Sequence, residues 1–423
     1  MSRISPTLPS TQQTPNAVTV YTQSGFNQGD LVYYQGGDYK SAANLTLPTG
    51  NSTFQTNYAV PFQTCDYGGY GTPVFNQAAV TATDGSGTSA TTCMAILTNG
   101  NIVQVFISKD NYYPSFRIVT PSGSVAVATT AISTTYKGTY SNGANIAVCA
   151  LSGGGFAVVW GFYGGSVIYY AVYTNTGTVT TAATSESFGT GTLPGLSPIA
   201  IVALPNGGFV AAIVNSSNVV RIKIYTSTGG TTLTWTNTWT ANGVSGVYVI
   251  RLAARSNNNF CLVGSCSTVS NYTYAVYSAT GSAIVSPADL GNSAGFYGLD
   301  VCCLADGSTF AFAVVGNSAS NIYIKFLPSS NTLSSAITFT STNNAYTTAG
   351  IYKCQIFPQS SGGFAVIYSD YYSDLCVGFS NSTATAFYPG SNTNGCIPVA
   401  NTSGLGTFGN ANTSSFVITA YEL

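Results

Sequence analysis

One turn recurs down this chain. A short apolar run meets a Gly/Asn/Ser turn, and a Phe or Ile then opens a second apolar run. The copies read TNGNI (98–102), LSGGGF (151–156), LPNGGF (204–209), RSNNNF (255–260), LADGSTF (304–310), PQSSGGF (358–364) and NTSSF (412–416). Their anchors are Ile102, Phe156, Phe209, Phe260, Phe310, Phe364 and Phe416. The anchors lie about 50 residues apart, a period that belongs to propeller blades rather than to short solenoid repeats. Seven anchors predict an all-β chain folded as a seven-bladed β-propeller of four-stranded blades.

Each repeat resolves into four strand-like runs. In one copy these are IAVCAL (146–151), FAVVWGF (156–162), VIYYAVY (167–173) and TVTTAAT (178–184). The first two join through the recurring turn. The last two join through Thr174-Asn175-Thr176-Gly177, with Gly where a hairpin turn needs positive φ. IAIVAL, FVAAIV, VVRIKIY and TTLTWTNTW repeat the order between 199 and 239, and the segments 273–285 and 322–338 carry the same third and fourth runs. A 3.6-residue period is missing throughout, so helices are not expected.

The ends add to this. After the last turn only FVITAYEL remains, enough for a second strand. The apolar runs near 58–63, 72–76 and 78–82 are expected to supply strands three and four of that blade. Pairing N- and C-terminal strands closes the ring and removes open sheet edges. The propeller is thus assigned to residues 51–423. Residues 1–50 read as an extended arm followed by a β-hairpin at 25–42 that turns at Gly36-Gly37, a module for attachment.

Charge and cysteine usage narrow the function. Only 5% of the 423 residues are charged and the formal net charge is −1, so attraction to nucleic acid is not expected. No run approaches the ~20 apolar residues of a membrane helix, so membrane insertion is not expected either. MSRISPTLPSTQQTP has no apolar core stretch and does not read as a secretory signal. The ten cysteines are expected to be mostly buried free thiols. Cys149 and Cys302 precede the repeat Leu by two residues, and Cys302 and Cys303 point to opposite faces of one strand.

The chain contains no histidine, which excludes Ser-His-Asp and Cys-His catalysis and His-based zinc sites. It has no P-loop, EF-hand loop or CxxC pair, and no cofactor is expected. Paired-carboxylate hydrolysis stays open through acids such as Asp110, Asp300 or Asp370. Others, Asp38, Asp84 and Asp306, sit beside Gly and read as turn formers.

In an up-and-down blade the one–two and three–four turns share one face of the ring. The two–three loops and the blade-to-blade connections share the other. The first set is short and repetitive, as a scaffold requires. The second set varies in length and is aromatic: KDNYYPS (109–115), GFYGGS (161–166), SDYYSD (369–374), SFGTGTLPGLSP (187–198), GNSAGFYGLD (291–300) and NNAYTTAG (343–350) among them. That face is expected to gather Tyr112, Tyr113, Tyr140, Tyr163, Phe296, Tyr297, Tyr346, Tyr371 and Tyr372, with Asp110, Asp370 and Asp374 between them. Tyr presents an apolar ring and a hydroxyl at low entropic cost, which suits a surface for glycan or protein. Tyr112, Tyr113, Tyr163, Tyr297, Tyr346, Tyr371, Tyr372, Asp110 and Asp370 are the candidate ligand-binding residues.

The units LPNGGFVAAIV and LSGGGFAVVW resemble the repeats of large propeller proteins of bacteria and their phages. GFNQGDLVYYQGGDYKSA (25–42) resembles small β modules near the N-termini of phage tail and decoration proteins. The resemblance implies a non-enzymatic virion structural or adhesion protein. Its N-terminal arm would dock on other virion proteins, its propeller would face outward toward host surface glycan, and copies would form a homo-oligomer in the particle. The chain lacks Asp-box and W-D signatures, so no family's functional residues carry over. The alternatives are a polysaccharide hydrolase or lyase, and a bacterial surface lectin.

Overall fold

The computed structural model describes residues 92–340, apart from short loops at 109–110, 121–123, 136–143, 163, 194–198, 218, 241–246, 267–271, 292–293 and 317–320. It also describes strands at 32–41, at 73–81 and between 354 and 422. The described regular elements are all strands. They pair into seven four-stranded sheets and one two-stranded sheet.

Sheet I comprises Thr92–Ile96, Ile102–Ile107, Pro114–Val119 and Val125–Ala131. Sheet II comprises Ala144–Ala150, Phe156–Phe162, Val167–Tyr173 and Val179–Ser187. Sheet III runs through Ile199–Ala203, Phe209–Val214, Val219–Tyr225 and Thr231–Thr240, and sheet IV through Val247–Ala254, Phe260–Cys266, Tyr272–Tyr277 and Ala283–Asp289. Sheet V contains Ala294–Cys303, Phe310–Gly316, Asn321–Leu327 and Ile337–Thr340. Sheet VI contains Cys354–Pro358, Phe364–Ser369, Leu375–Ser380 and Phe387–Pro389. In each, sequence neighbours pair antiparallel in order, which is the up-and-down blade expected from the repeat.

Sheet VII joins the two ends of the chain: Cys396–Pro398, Leu405–Asn410 and Ser415–Glu422 pair in order, and Pro73–Thr81 adds the fourth strand beside Ser415–Glu422. The N- and C-terminal strands therefore pair, but as three and one rather than two and two. The NTSSF turn leads into the third strand of its sheet, not the second. A polar turn followed by Phe marks any hairpin, so this copy matched the pattern without occupying the equivalent place. The small sheet pairs Val32–Gln35 with Asp38–Ser41 around Gly36-Gly37, as the hairpin reading expected.

Both faces of a blade are covered by neighbours, so the inner strands read as continuous apolar runs rather than alternating ones. Phe156–Phe162, Phe209–Val214 and Ile102–Ile107 are buried at every position. Five apolar clusters result, each joining two successive sheets from I to VI. Contacts between successive sheets I to VI join their first strands, which therefore converge on the axis.

The recurring turn is closed in the same way in five sheets, with one extra residue in sheet V. The residue before it donates its N–H across the turn: Leu97 to Asn101 O, Leu151 to Gly155 O, Leu204 to Gly208 O, Arg255 to Asn259 O and Leu304 to Thr309 O. Gly100, Gly154, Gly207, Asn258 and Gly307 take its left-handed position. The anchor beyond it is buried, and in sheets II to IV it stacks on the Tyr paired with it across the strand. Ring centroids are 5.0 Å apart for Phe156–Tyr173, 4.6 Å for Phe209–Tyr225 and 5.6 Å for Phe260–Tyr277.

The outer strands differ. In sheets I to IV the fourth strand is kinked twice against the third, at equivalent places, and sheet III adds a third kink between Val220 and Arg221. In sheet II, Ala182 and Ala183 oppose Ala171 alone, and Thr180 is skipped. Thr130, Thr184 and Thr236 donate their hydroxyls to the carbonyls of Ala128, Ala182 and Thr234 within the wider kink. Such bulges end strand pairing at an edge.

Candidate functional site

The two faces of the sheets are built differently. On the short-turn face the recurring turns are tied to one another. Ser152 Oγ donates to Leu204 O (3.3 Å) and Pro205 O (3.1 Å), Asn206 N–H to Asn258 Oδ1 (2.7 Å), and Ser256 Oγ to Gly307 O (2.9 Å). The three–four turns are tied as well: Tyr170 OH reaches Gly229 O at 3.1 Å and Thr181 Oγ1 reaches Thr228 O at 2.6 Å. Gly177, Gly229 and Gly281 supply the positive φ these turns need. Asp306 serves its turn as expected: its carboxylate accepts from Ser308 N–H, Thr309 N–H and the Thr309 hydroxyl. Partial burial raises its pKa, but these hydrogen bonds outweigh that and leave it lowered.

On the opposite face the described loops are held in place rather than joined into a repeat. The connection after sheet II is the fullest case. Arg221 of sheet III donates to Phe188 O, and its other nitrogen approaches Thr190 Oγ1 (3.4 Å). Asn215 Nδ2 donates to Thr190 O (3.0 Å), and Ser216 Oγ accepts from Thr192 N–H (3.1 Å). Leu193 exchanges backbone hydrogen bonds with Gly164 and Gly165 of the two–three loop of sheet II. Gly189 and Gly191 both sit at φ 93°, where a side chain would strike Arg221 or Asn215. Lys325 does the same for the connection after sheet IV, where its ammonium donates to Leu290 O.

Of the candidate tyrosines, Tyr112 and Tyr113 fall in a described two–three loop and are half-buried. Tyr112 has φ 59°, its N–H donates to Ser108 O, and Ser108 N–H donates to Tyr113 O. Tyr113 N–H donates to Asn111 Oδ1 (3.0 Å), which closes the loop tightly. Tyr297, read as part of a connection, instead belongs to the first strand of sheet V, Ala294–Cys303, as does Phe296. That strand absorbs a register irregularity between Ala294 and Leu299, so an apolar strand continues through what read as a loop. Tyr163, Tyr346, Tyr371, Tyr372, Asp110 and Asp370 lie outside the described residues, as do Tyr140 and Asp374.

Several charged side chains are inter-sheet struts, whereas Arg117 pairs within sheet I. Glu186 of sheet II accepts from Lys223 and from the Tyr225 hydroxyl (2.8 Å) of sheet III. Burial first, and then the Glu186 charge, hold the Tyr225 phenol well above its ordinary range. Arg255 takes the place that Leu97, Leu151, Leu204 and Leu304 hold in other repeats. It donates to Leu327 O (2.8 Å), Pro328 O (2.9 Å) and Asn331 Oδ1 (3.1 Å), and lies 4.3 Å from the Phe310 ring centroid. Arg117 meets Gln104 Oε1 at 2.7 Å, and burial lowers its pKa to about 10.

Asp300 is the one described member of the acids considered for catalysis. It sits on the inner strand of sheet V, where Oδ2 accepts from Ile356 N–H of sheet VI (2.9 Å) and Oδ1 lies 3.6 Å from Arg251 Nε of sheet IV. Burial raises its carboxyl to about 6 against the opposing pull of Arg251 and of backbone N–H groups. Among the described residues no second carboxylate faces it. Sequence reading alone had a signal for the pair. Four residues before the turn, sheets I to III carry Cys93, Ala147 and Ala200, whereas sheets IV and V carry Arg251 and Asp300. Cys93, Cys149, Cys261, Cys302 and Cys303 are free, and burial pushes the thiols of the first four well up. Cys302 and Cys303 pack into different apolar clusters, as their adjacency on a strand required.

No protein-family model matches the sequence, and no curated protein matches it. Solved structures do resemble the fold. The lectin BP39L of Burkholderia pseudomallei superposes with TM-score 0.50 and 12% identity, over 72% of this chain and 83% of that one. This chain is a β-propeller. Weaker likenesses include the fucose-specific lectin of Aleuria aurantia (TM-score 0.43, 9% identity, 72% and 95% of the two chains). Another is the polysaccharide lyase Uly1 (TM-score 0.47, 10% identity, 78% and 89%).

Proposed function

We propose that this propeller is a non-enzymatic adhesion protein whose aromatic loop face binds surface glycan. The observation that carries the reading is the contrast between its faces. Short turns on one face are consumed by ties between neighbouring blades, while described loops on the other are irregular in sequence yet pinned by Arg221, Asn215 and Lys325. A surface held in place before binding loses less entropy when it binds. The lectin of the same fold is an example of a propeller scaffold that serves glycan recognition. We take the seven sheets as the blades of one closed ring, and residues 1–50 as an arm that attaches it to the exterior of a virion.

Asp300 engages Arg251 and the Ile356 amide rather than a second carboxylate among the described residues, so it supports a structural or binding role over hydrolysis. The test is a glycan array and host-cell pull-down with the full chain. Binding is expected, and Tyr113→Ala combined with Tyr112→Asn, a residue that tolerates positive φ, should weaken it at least about tenfold. Failure to bind any glycan or cell sinks the proposal. Release of reducing ends from host polysaccharide, abolished by Asp300→Asn, would replace it with the hydrolase reading.

A further inference from the structure

The first strands of sheets I to VI carry charge at one place among the described residues, and the position equivalent to it in sheet VI holds the uncharged Gln355. Among the described residues of the first strands, charge occurs only at Arg251 and Asp300, at equivalent positions of adjacent sheets. The equivalent residues in sheets I to III, Cys93, Ala147 and Ala200, are buried and make the ordinary apolar seam. In a chain with 5% charged residues this is a marked departure from its own repeat.

The pair is also incompletely closed. Arg251 Nε stands 3.6 Å from Asp300 Oδ1, beyond hydrogen-bond length for a charged donor. Arg251 Nη1 donates to Ile250 O at 2.9 Å, and no described residue accepts from Nη2. Its side chain is 39% exposed, while that of Asp300 is 14% exposed and fixed by the Ile356 amide. An exposed guanidinium with a spare edge, beside a carboxyl aimed by a neighbouring strand, presents donors and an acceptor side by side. A buried ion pair kept for stability alone would be tighter, since desolvation is offset only by good geometry.

We propose that Arg251 and Asp300 form an acid-strengthened site for a small hydroxy-carboxylate at the inner edge of sheets IV and V. The ligand carboxylate pairs with the Arg251 fork, and a ligand hydroxyl meets the Asp300 carboxyl. While ionised, Asp300 repels the ligand and competes for Arg251. Once it takes a proton from solvent, both effects end and it becomes a donor as well. The groups that face it favour such a switch in mild acid. Arg251 is the only charged side chain on it among the described residues. On its own strand Cys302 is neutral, and sheet VI contributes the Ile356 amide. Burial places its titration near pH 6, the range the switch requires. The site is separate from the aromatic loop face and stands whether or not that face binds glycan.

Calorimetric titration of the full chain with gluconate, and with sorbitol as its uncharged counterpart, tests this. Gluconate should bind at about pH 5 and at least about tenfold more weakly at about pH 7.5, with close to one proton taken up per ligand at the higher pH and almost none at the lower, because affinity linked to one proton changes at most about tenfold per pH unit. Sorbitol should not bind. Arg251→Gln should abolish binding at both pH values, and Arg251→Lys, which keeps the charge and loses the fork, should weaken it. Asp300→Asn should remove the pH dependence while keeping binding. The proposal is overturned if gluconate does not bind at about pH 5, if sorbitol binds equally, if Arg251→Gln leaves the affinity unchanged, or if Asp300→Asn keeps the pH dependence.

Discussion

The junction between sheets II and III and the junction between sheets IV and V start from the same repeat and close in different ways. In the first, Phe209 stacks on Tyr225, Leu204 fills the place before the turn, and the following three–four turn opens on Thr226, whose hydroxyl accepts from Gly230 N–H at 2.9 Å. In the second, the partner of Phe310 is Leu327 and the turn opens on Pro328, which has no hydroxyl. Arg255 from sheet IV makes up both losses, covering the Phe310 ring and donating to Leu327 O and Pro328 O. The lesson is that Arg255 stands where a repeat residue is missing, and takes over the work of that residue and of its neighbours.

The largest expected effect tests the regular junction. Phe209→Ala should cost about 3–5 kcal/mol, and Phe310→Ala the lower end of that range because no ring is paired with it. Equal losses in denaturant titrations would break the comparison. Next, Arg255→Ala should cost about 2–4 kcal/mol by stranding buried carbonyls. Arg255→Leu restores the repeat residue yet leaves those carbonyls without a donor, so it should recover less than half. Full recovery would show that Arg255 is a mere space-filler. At the regular junction, a double-mutant cycle between Lys223→Ala and Glu186→Gln should give a coupling of about 1–2 kcal/mol, since both side chains are largely buried.

The smallest effect concerns Asp300. Its folded pKa of about 6 lies above the ordinary carboxylate value, so the folded state holds the proton more tightly than the unfolded chain. The stability this confers is complete below about pH 4 and is lost as pH rises through about 6. Above that, the ionised carboxylate is a net cost. Asp300→Asn should therefore raise the melting point at neutral pH, by an amount equivalent to about 1 kcal/mol, and flatten its pH dependence. A lower melting point at neutral pH would mean that the ion pair with Arg251 outweighs burial.

The strands of sheets I to V were legible because each anchor follows a turn whose Gly or Asn must take positive φ, and because strands buried on both faces are uninterrupted apolar runs. NTSSF misled because its residues satisfy that local chemistry without its place in the sheet. Phe296 and Tyr297 misled because flanking glycines read as loop, whereas the backbone there continues as strand through a register shift. The roles of Arg221, Lys223 and Lys325 were not legible, since their partners are carbonyls and a carboxylate on the preceding sheet about 35 residues away. Arg255 and the Arg251–Asp300 pair were partly legible: aligning the repeats on their turns exposes them as exceptions.

The doubled kinks of the outer strands have a consequence for how many copies can share a crowded surface. Exposed strands with almost no lysine, rich in Thr and Ala, would ordinarily zip onto their neighbours. Here the obstacle is contour, with the freed carbonyls in sheets I to III already satisfied by Thr130, Thr184 and Thr236. Contour does not titrate and is not screened by ions. Copies held side by side should therefore remain separate through swings of salinity and acidity that would make charge-guarded edges adhere.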